Sequence, residues 1–227
     1  MVTDDRIGRS TLVDEVVGRL RELISSGQIA PGERLRMRDL QDRFGVSHIP
    51  IREALRTLEG ERLVENLPQR GAVASPVSLE LLDEVYDARR LLEPAVAVRG
   101  MSRMTDDDLA ELAAAFAALE VAEILGDDDF YRAHRRFHWL SLRAGATPTL
   151  ERLITQLWGI SDRFVKLSKS AYPADVRVAS AQHTEIFRMC AARDEAVGPI
   201  IDRHLHVTQD VLRARFAEHV AAEAAQG

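Results

Sequence analysis

Cysteine is nearly absent from this chain of 227 residues. Cys190 stands alone, so no intrachain disulfide forms and no cysteine-based zinc site can be built. Any metal must be held by His, Asp or Glu. Aromatic residues make up only 5%, which argues for few strands. No apolar run approaches the roughly 20 residues of a membrane span, and Met1 to Ser10 is charged where a secretory leader carries an apolar core. A cytoplasmic protein is expected. Lysine is also scarce: Lys166 and Lys169 are the only two. Every cation of the first 75 residues is therefore arginine, the side chain best suited to bidentate phosphate and guanine contacts. A compositional bias of the source genome would leave the same mark.

What is present describes a folded chain. Hydrophobic residues at 46% and charged residues at 29% exclude a mostly disordered or fibrous protein, and the length favours two domains. The net charge of -6 is unevenly spread. Residues 1–75 hold 12 Arg against 12 Asp and Glu, leaving 18 basic and 24 acidic residues to the remainder. The deficit belongs to the C-terminal part alone.

Leu12, Val13, Val16, Val17, Leu20, Leu23 and Ile24 recur at spacings of three and four, predicting an amphipathic helix with Ser10 as N-cap that ends at Gly27. A turn over residues 29–33 leads to a short helix from Arg36 to Phe44, closed by Gly45. Ser47 is placed to cap a third helix running to about Glu61, with Pro50 in the first turn, where its missing N–H has no intrahelical partner. Leu63 to Glu65 and Ala72 to Ala74 read as two strands around a hairpin with Arg70 at its tip. Two short helices across a glycine turn, followed by a hairpin, make a winged helix-turn-helix, whose second helix enters the DNA major groove.

The run "SGQIAPGERLRMRDLQDRFGVSHIPIREALRTLEGERLVENLPQRGAVASPVS" resembles the N-terminal domain of GntR-family transcription regulators, whose pattern is approximately PPGxxLxxRxLAxxLGVSRTPVREALxxLxxEGLV with a PxRG wing. The resemblance implies DNA contacts by Arg38 on the second helix, by Ser47, His48 and Arg52 on the recognition helix, and by Arg70 and Gly71 on the wing. His48 stands where the pattern has arginine, which changes the expected base preference. Arg62 stands where it usually has glycine. Arg52 and Arg56 have an ordinary alternative as partners of Glu53 or Glu59 on a solvated face.

Beyond Val77 the strand signals stop. Helices are predicted from Ser78 to about Arg99, Thr105 to Leu125, Asp127 to about Ala144, Thr147 to about Lys169, Pro173 to about Ala192, and Asp194 to Glu223 with an irregularity at Gly198 and Pro199. Six helices with short loops describe an antiparallel bundle. His134 and His138 are four apart, so one helical face presents both imidazoles about 6 Å apart along the axis. The intervening residues do not suit a zinc protease, because arginine occupies the place of its glutamate base. His183 and His204 lie in the next-to-last and last helices. Arg132, Arg135 and Arg136 are expected on the solvated face of theirs.

Residues Glu84 to Pro94, with the segment His134 to His138 and those around His183 and His204, resemble the FCD ligand-binding domain of the FadR-like branch of the GntR family. Metal-binding members hold one divalent ion with an Asp and three His beneath an effector cavity. The ligand set this implies is His134, His138, His183 and His204, with His134 in place of Asp. An all-imidazole site favours zinc or nickel over manganese or magnesium. The chain is one residue shorter than the usual pattern between His183 and His204, so His206 is a rival, although it lies about 200° around the helix from His204. Arg89 falls on an arginine that points into the cavity and would clamp a carboxylate. Its alternative is a helix pair with Glu93.

The expected protein is mainly α: a winged helix-turn-helix over residues 1–77, then an all-helical effector-binding, metal-binding and dimerising bundle over residues 78–227. It is expected to be a transcription regulator, a homodimer on a palindromic operator controlled by a small carboxylate, because one winged helix buries too little surface for a tight specific site. Two other classes remain open: a DNA-binding protein with a metal-free structural bundle, and a metal-dependent hydrolase, for which no base stands beside His134 and His138.

Overall fold

The structure is a computed structural model that describes residues 12–125, 129–167 and 172–224. The Ser10 cap, the Asp127 start of one helix and the Lys169 end of another lie outside the described residues. The chain divides into two compact units, Met1–Val77 and Ser78–Gly227.

In the first unit the order is α1 (Leu12–Ser25), α2 (Met37–Phe44), α3 (His48–Gly60), β1 (Val64–Leu67) and β2 (Gly71–Ala74). The apolar stripe of α1 puts Val16, Leu20 and Ile24 against Ile51, Ala54 and Leu58 of α3, all buried. Gly45 ends α2 in the left-handed conformation (φ 66°) and its N–H reaches the Gln41 carbonyl, the arrangement that permits a tight turn into α3. Ser47 occupies the N-cap position of α3, but its hydroxyl makes no capping hydrogen bond. The exit of α3 is a Schellman motif: Leu63 N–H donates to the Leu58 carbonyl and Arg62 N–H to the Glu59 carbonyl. Arg62 therefore takes the left-handed position (φ 60°) that glycine usually fills.

The strands are longer than the sequence suggests, pairing antiparallel from Val64 with Ala74 to Leu67 with Gly71. Pro68 and Gln69 turn the hairpin, Gln69 at φ 64°, and Arg70 N–H closes it on the Leu67 carbonyl, as in a type II turn. Arg34 forms a β-bridge to Val73, laying the segment before α2 along the wing.

The second unit contains α4 (Leu79–Met101), α5 (Asp106–Leu125), α6 (Asp129–Arg143), α7 (Pro148–Leu167), α8 (Tyr172–Ala192) and α9 (Val197–Ala224). Helix α4 packs along α9 and against α7 and α6, while α5 packs on α6 and α8. Capping explains the boundaries. Ser78 Oγ accepts the Leu81 N–H at 3.1 Å. Thr105 and Asp108 form a reciprocal capping box, with Thr105 N–H donating to Asp108 Oδ2 at 2.9 Å and Asp108 N–H to Thr105 Oγ1 at 3.1 Å. The expected irregularity at Gly198 and Pro199 does not occur. Asp194 Oδ1 instead accepts the Ala196 N–H, the last helix starts at Val197, and Pro199 falls in its first turn, where no bond is lost. Gly145, after α6, lies so close to α4 that any Cβ would collide with the Val96 carbonyl oxygen. No helix among the described residues is long and apolar enough to cross a membrane.

Candidate nucleic-acid interface and metal centre

Residues 34–36 are extended, so Arg34 and Arg36 share one side while Leu35 between them is buried. That side opens onto a groove of about 440 Å³ shared with α3 and the wing. Five arginines line it: Arg34, Arg36, Arg52, Arg56 and Arg70. Glu59 is also in the lining, but its carboxylate accepts the Asn66 amide at 2.8 Å. Glu53 lies 3.6 Å from Arg52 and 4.0 Å from Arg56. These pairs are exposed and long, worth at most about 1 kcal/mol, less than a good phosphate or base contact offers. The two arginines thus remain available to an anion. Arg38, Ser47 and His48 are exposed on the same unit outside the groove, whereas Gly71 lines it beside Arg70.

In the second unit, α6 supplies His134 and His138, α8 supplies His183 and α9 supplies His204. Each offers one nitrogen, and the four atoms lie within 4.8 Å of one another. His138 Nε2 is 3.1 Å from His134 Nε2 and 3.2 Å from His183 Nε2. Nitrogens bound tetrahedrally to one zinc ion at its usual bond length sit about 3.3 Å apart, so this spacing suits a shared ion. The outer nitrogens of His183 and His204 are anchored. His183 Nδ1 lies 3.1 Å from Glu123 Oε1 of α5, and a carboxylate that only accepts holds the proton on Nδ1, leaving the Nε2 lone pair facing the cluster. Gln182 Oε1 lies 2.9 Å from His204 Nδ1.

Burial holds the imidazoles of His134, His138 and His204 well below the ordinary histidine range, and neighbouring imidazoles and Arg89 push the same way. They are neutral at pH 7, the form that ligates. His206 is outside the cluster: it is exposed, 3.6 Å from Asp210 and 3.4 Å from Arg90.

Arg89 is buried on α4. Its Nε donates to Glu93 Oε1 at 2.6 Å and its Nη1 to Ser161 Oγ at 3.2 Å, and the guanidinium lies 4.8 Å from the Tyr86 ring centre. Glu93 Oε1 also accepts the Trp158 indole N–H at 2.8 Å.

Residues 84–207 match the FCD domain family, and residues 12–73 match the bacterial regulatory proteins of the gntR family. The chain belongs to the GntR family, with an FCD domain. Among its relatives in Escherichia coli (strain K12), the HTH-type transcriptional regulator McbR is 28% identical over 80% of this chain and 81% of its own. The HTH-type transcriptional repressor RspR is 27% identical over 94% of both. The galactonate operon transcriptional repressor is 30% identical over 62% of this chain and 69% of its own. The solved structure of E. coli McbR/YncC shares the fold, with a TM-score of 0.82 over 92% of this chain and 100% of that one, at 24% identity. The protein is a transcription regulator and not an enzyme.

In this GntR-family regulator several participants escaped the sequence reading. Arg34 and Arg36 were signalled by their alternation about the apolar Leu35. Glu123 and Gln182 carried no signal, since only folding brings Glu123 beside a histidine 60 positions away. The expectation that Arg135 is simply solvated is corrected: it pairs with Asp162 at 2.5 Å and lies 5.5 Å from the Trp158 ring centre.

Proposed function

We propose that this regulator binds a palindromic operator as a cytoplasmic homodimer, and that a small carboxylate bound at a metal centre in the FCD domain controls that binding. The observation that carries the reading is the convergence of His134, His138, His183 and His204 from three helices, with the outer nitrogens of His183 and His204 held by Glu123 and Gln182. These four imidazoles would hold one divalent ion, zinc or nickel by the softness of the donors. When bound, the ion supplies a Lewis-acidic position for a carboxylate oxygen, and four neutral ligands leave its charge for an anion to offset.

Arg89 supports an acidic effector, because its guanidinium is buried and its charge is felt at His134, His138 and His204. Its fork suits a carboxylate. One relative is named for the galactonate operon, and galactonate is a sugar acid. On the DNA side Arg38, Ser47, His48, Arg52, Arg70 and Gly71 are the proposed contacts, now joined by Arg34 and Arg36. The effector acts only through unequal affinity for the DNA-competent and DNA-incompetent states.

A thermal-shift screen of carboxylates, followed by operator titration with and without the best stabiliser, tests this. The true effector stabilises wild type, changes operator affinity, and binds Arg89→Lys about tenfold more weakly through loss of the fork. If only neutral compounds stabilise the protein, the reading is wrong.

A further inference from the structure

Ile49 is 54% exposed in the first turn of α3, between His48, which is exposed, and Pro50, which is buried. At about 100° per residue, Ile49 lies within about 20° of Arg56, with Arg52 and Glu53 on either side. An aliphatic side chain thus stands at the middle of the one face of α3 that is otherwise charged. Its neighbours Pro50 and Ile51 already fill the core side of the helix, so Ile49 is directed away from the core.

The surroundings specify what would cover it. Arg52 and Arg56 lie on one side of Ile49 and Glu53 on the other, and the two arginines line the five-arginine groove, a setting that suits a polyanion and not the apolar face of a second protein. Within a DNA major groove the apolar group on offer is the thymine 5-methyl, presented between phosphates that arginine neutralises.

We propose that Ile49 is a specificity residue that reads a thymine 5-methyl group in each operator half-site. The inference rests on α3 being the helix that enters the major groove.

The test uses the full-length protein and duplexes selected from a random library. Each thymine of the selected half-site is replaced in turn by deoxyuridine, which removes the methyl group and keeps the base pairing. At one position wild type loses about fourfold affinity per half-site, the worth of one buried methyl group. Ile49→Ala binds the thymine and deoxyuridine duplexes equally, and Ile49→Val keeps part of the difference. Arg52→Ala, measured in parallel, weakens binding to all duplexes. The proposal is overturned if wild type is indifferent to every deoxyuridine, if Ile49→Ala keeps the full penalty, or if selected half-sites contain no thymine. If Arg52→Ala also leaves affinity unchanged, the assignment of α3 falls with it.

Discussion

Arg89 Nε donates to Glu93 Oε1 at 2.6 Å, one turn along α4, and the same oxygen accepts the Trp158 indole N–H. The pair is both a structural bond and a competitor for any acidic ligand of Arg89. Because both groups are buried, removing one leaves the other uncompensated: Glu93→Ala lowers unfolding stability by about 3–5 kcal/mol. Glu93→Gln keeps the shape and removes the competing charge. A carboxylate effector therefore raises the Tm of Glu93→Gln by more than that of wild type. Equal shifts in calorimetry would show that the ligand does not take the place of Glu93 on Arg89.

The basic groove separates two kinds of contact. Arg52 lies one turn into α3, and its proposed contact is to a base edge, so Arg52→Ala is expected to weaken binding to the selected operator by about 1–3 kcal/mol and to relax its sequence preference. Arg34 lies on the extended segment beside the wing, and its proposed contact is to phosphate. Arg34→Ala weakens binding to all sequences alike and reduces the log–log salt slope by about 1. Fluorescence anisotropy across a salt series distinguishes the two.

Arg62 occupies the left-handed position of the Schellman motif that ends α3. Glycine there removes the Cβ strain, and the gain exceeds the extra chain entropy of the unfolded state. Arg62→Gly is expected to stabilise the protein by about 0.5–1 kcal/mol in urea titration, with operator affinity unchanged.

Asp108 links the start of α5 to α6. Its carboxylate accepts from the Thr105 N–H and hydroxyl and pairs with Arg143 at 2.5 Å, which lowers its pKa from the ordinary 3.8 to about 2. A depressed carboxylate contributes stability that is present above the unfolded value and lost as pH falls from about 4 to about 2. Allowing for partial exposure, the contribution is about 1–2 kcal/mol at neutral pH. Asp108→Asn should be less stable than wild type by that amount at pH 7, and the gap should close as the pH falls through that range.

The helices were legible because their apolar positions keep a period near 3.6 and their ends carry caps, as Val16, Leu20 and Ile24 do in α1 and Ser78 does before α4. Pro199 misled because Asp194 looks like a helix start, whereas its side chain spans a turn that precedes the helix. The four histidines were named from spacing and resemblance, but which of His204 and His206 faces inward depends on how α9 rotates against α4 and α8. Neither spacing nor composition encodes that rotation. The supports of the site, Glu123 and Gln182, and the Glu93–Trp158 bond came only with packing, since they join helices distant in the chain.

Regulation as proposed requires that the four imidazoles hold a metal ion. Elemental analysis by mass spectrometry of full-length protein, purified without a histidine tag, tests it most directly, with His183→Ala prepared in parallel and checked for folding by circular dichroism. About one zinc or nickel ion is expected per wild-type chain, and almost none in the variant. Wild-type protein that carries no divalent ion and takes up none when zinc and nickel are added would contradict the proposal.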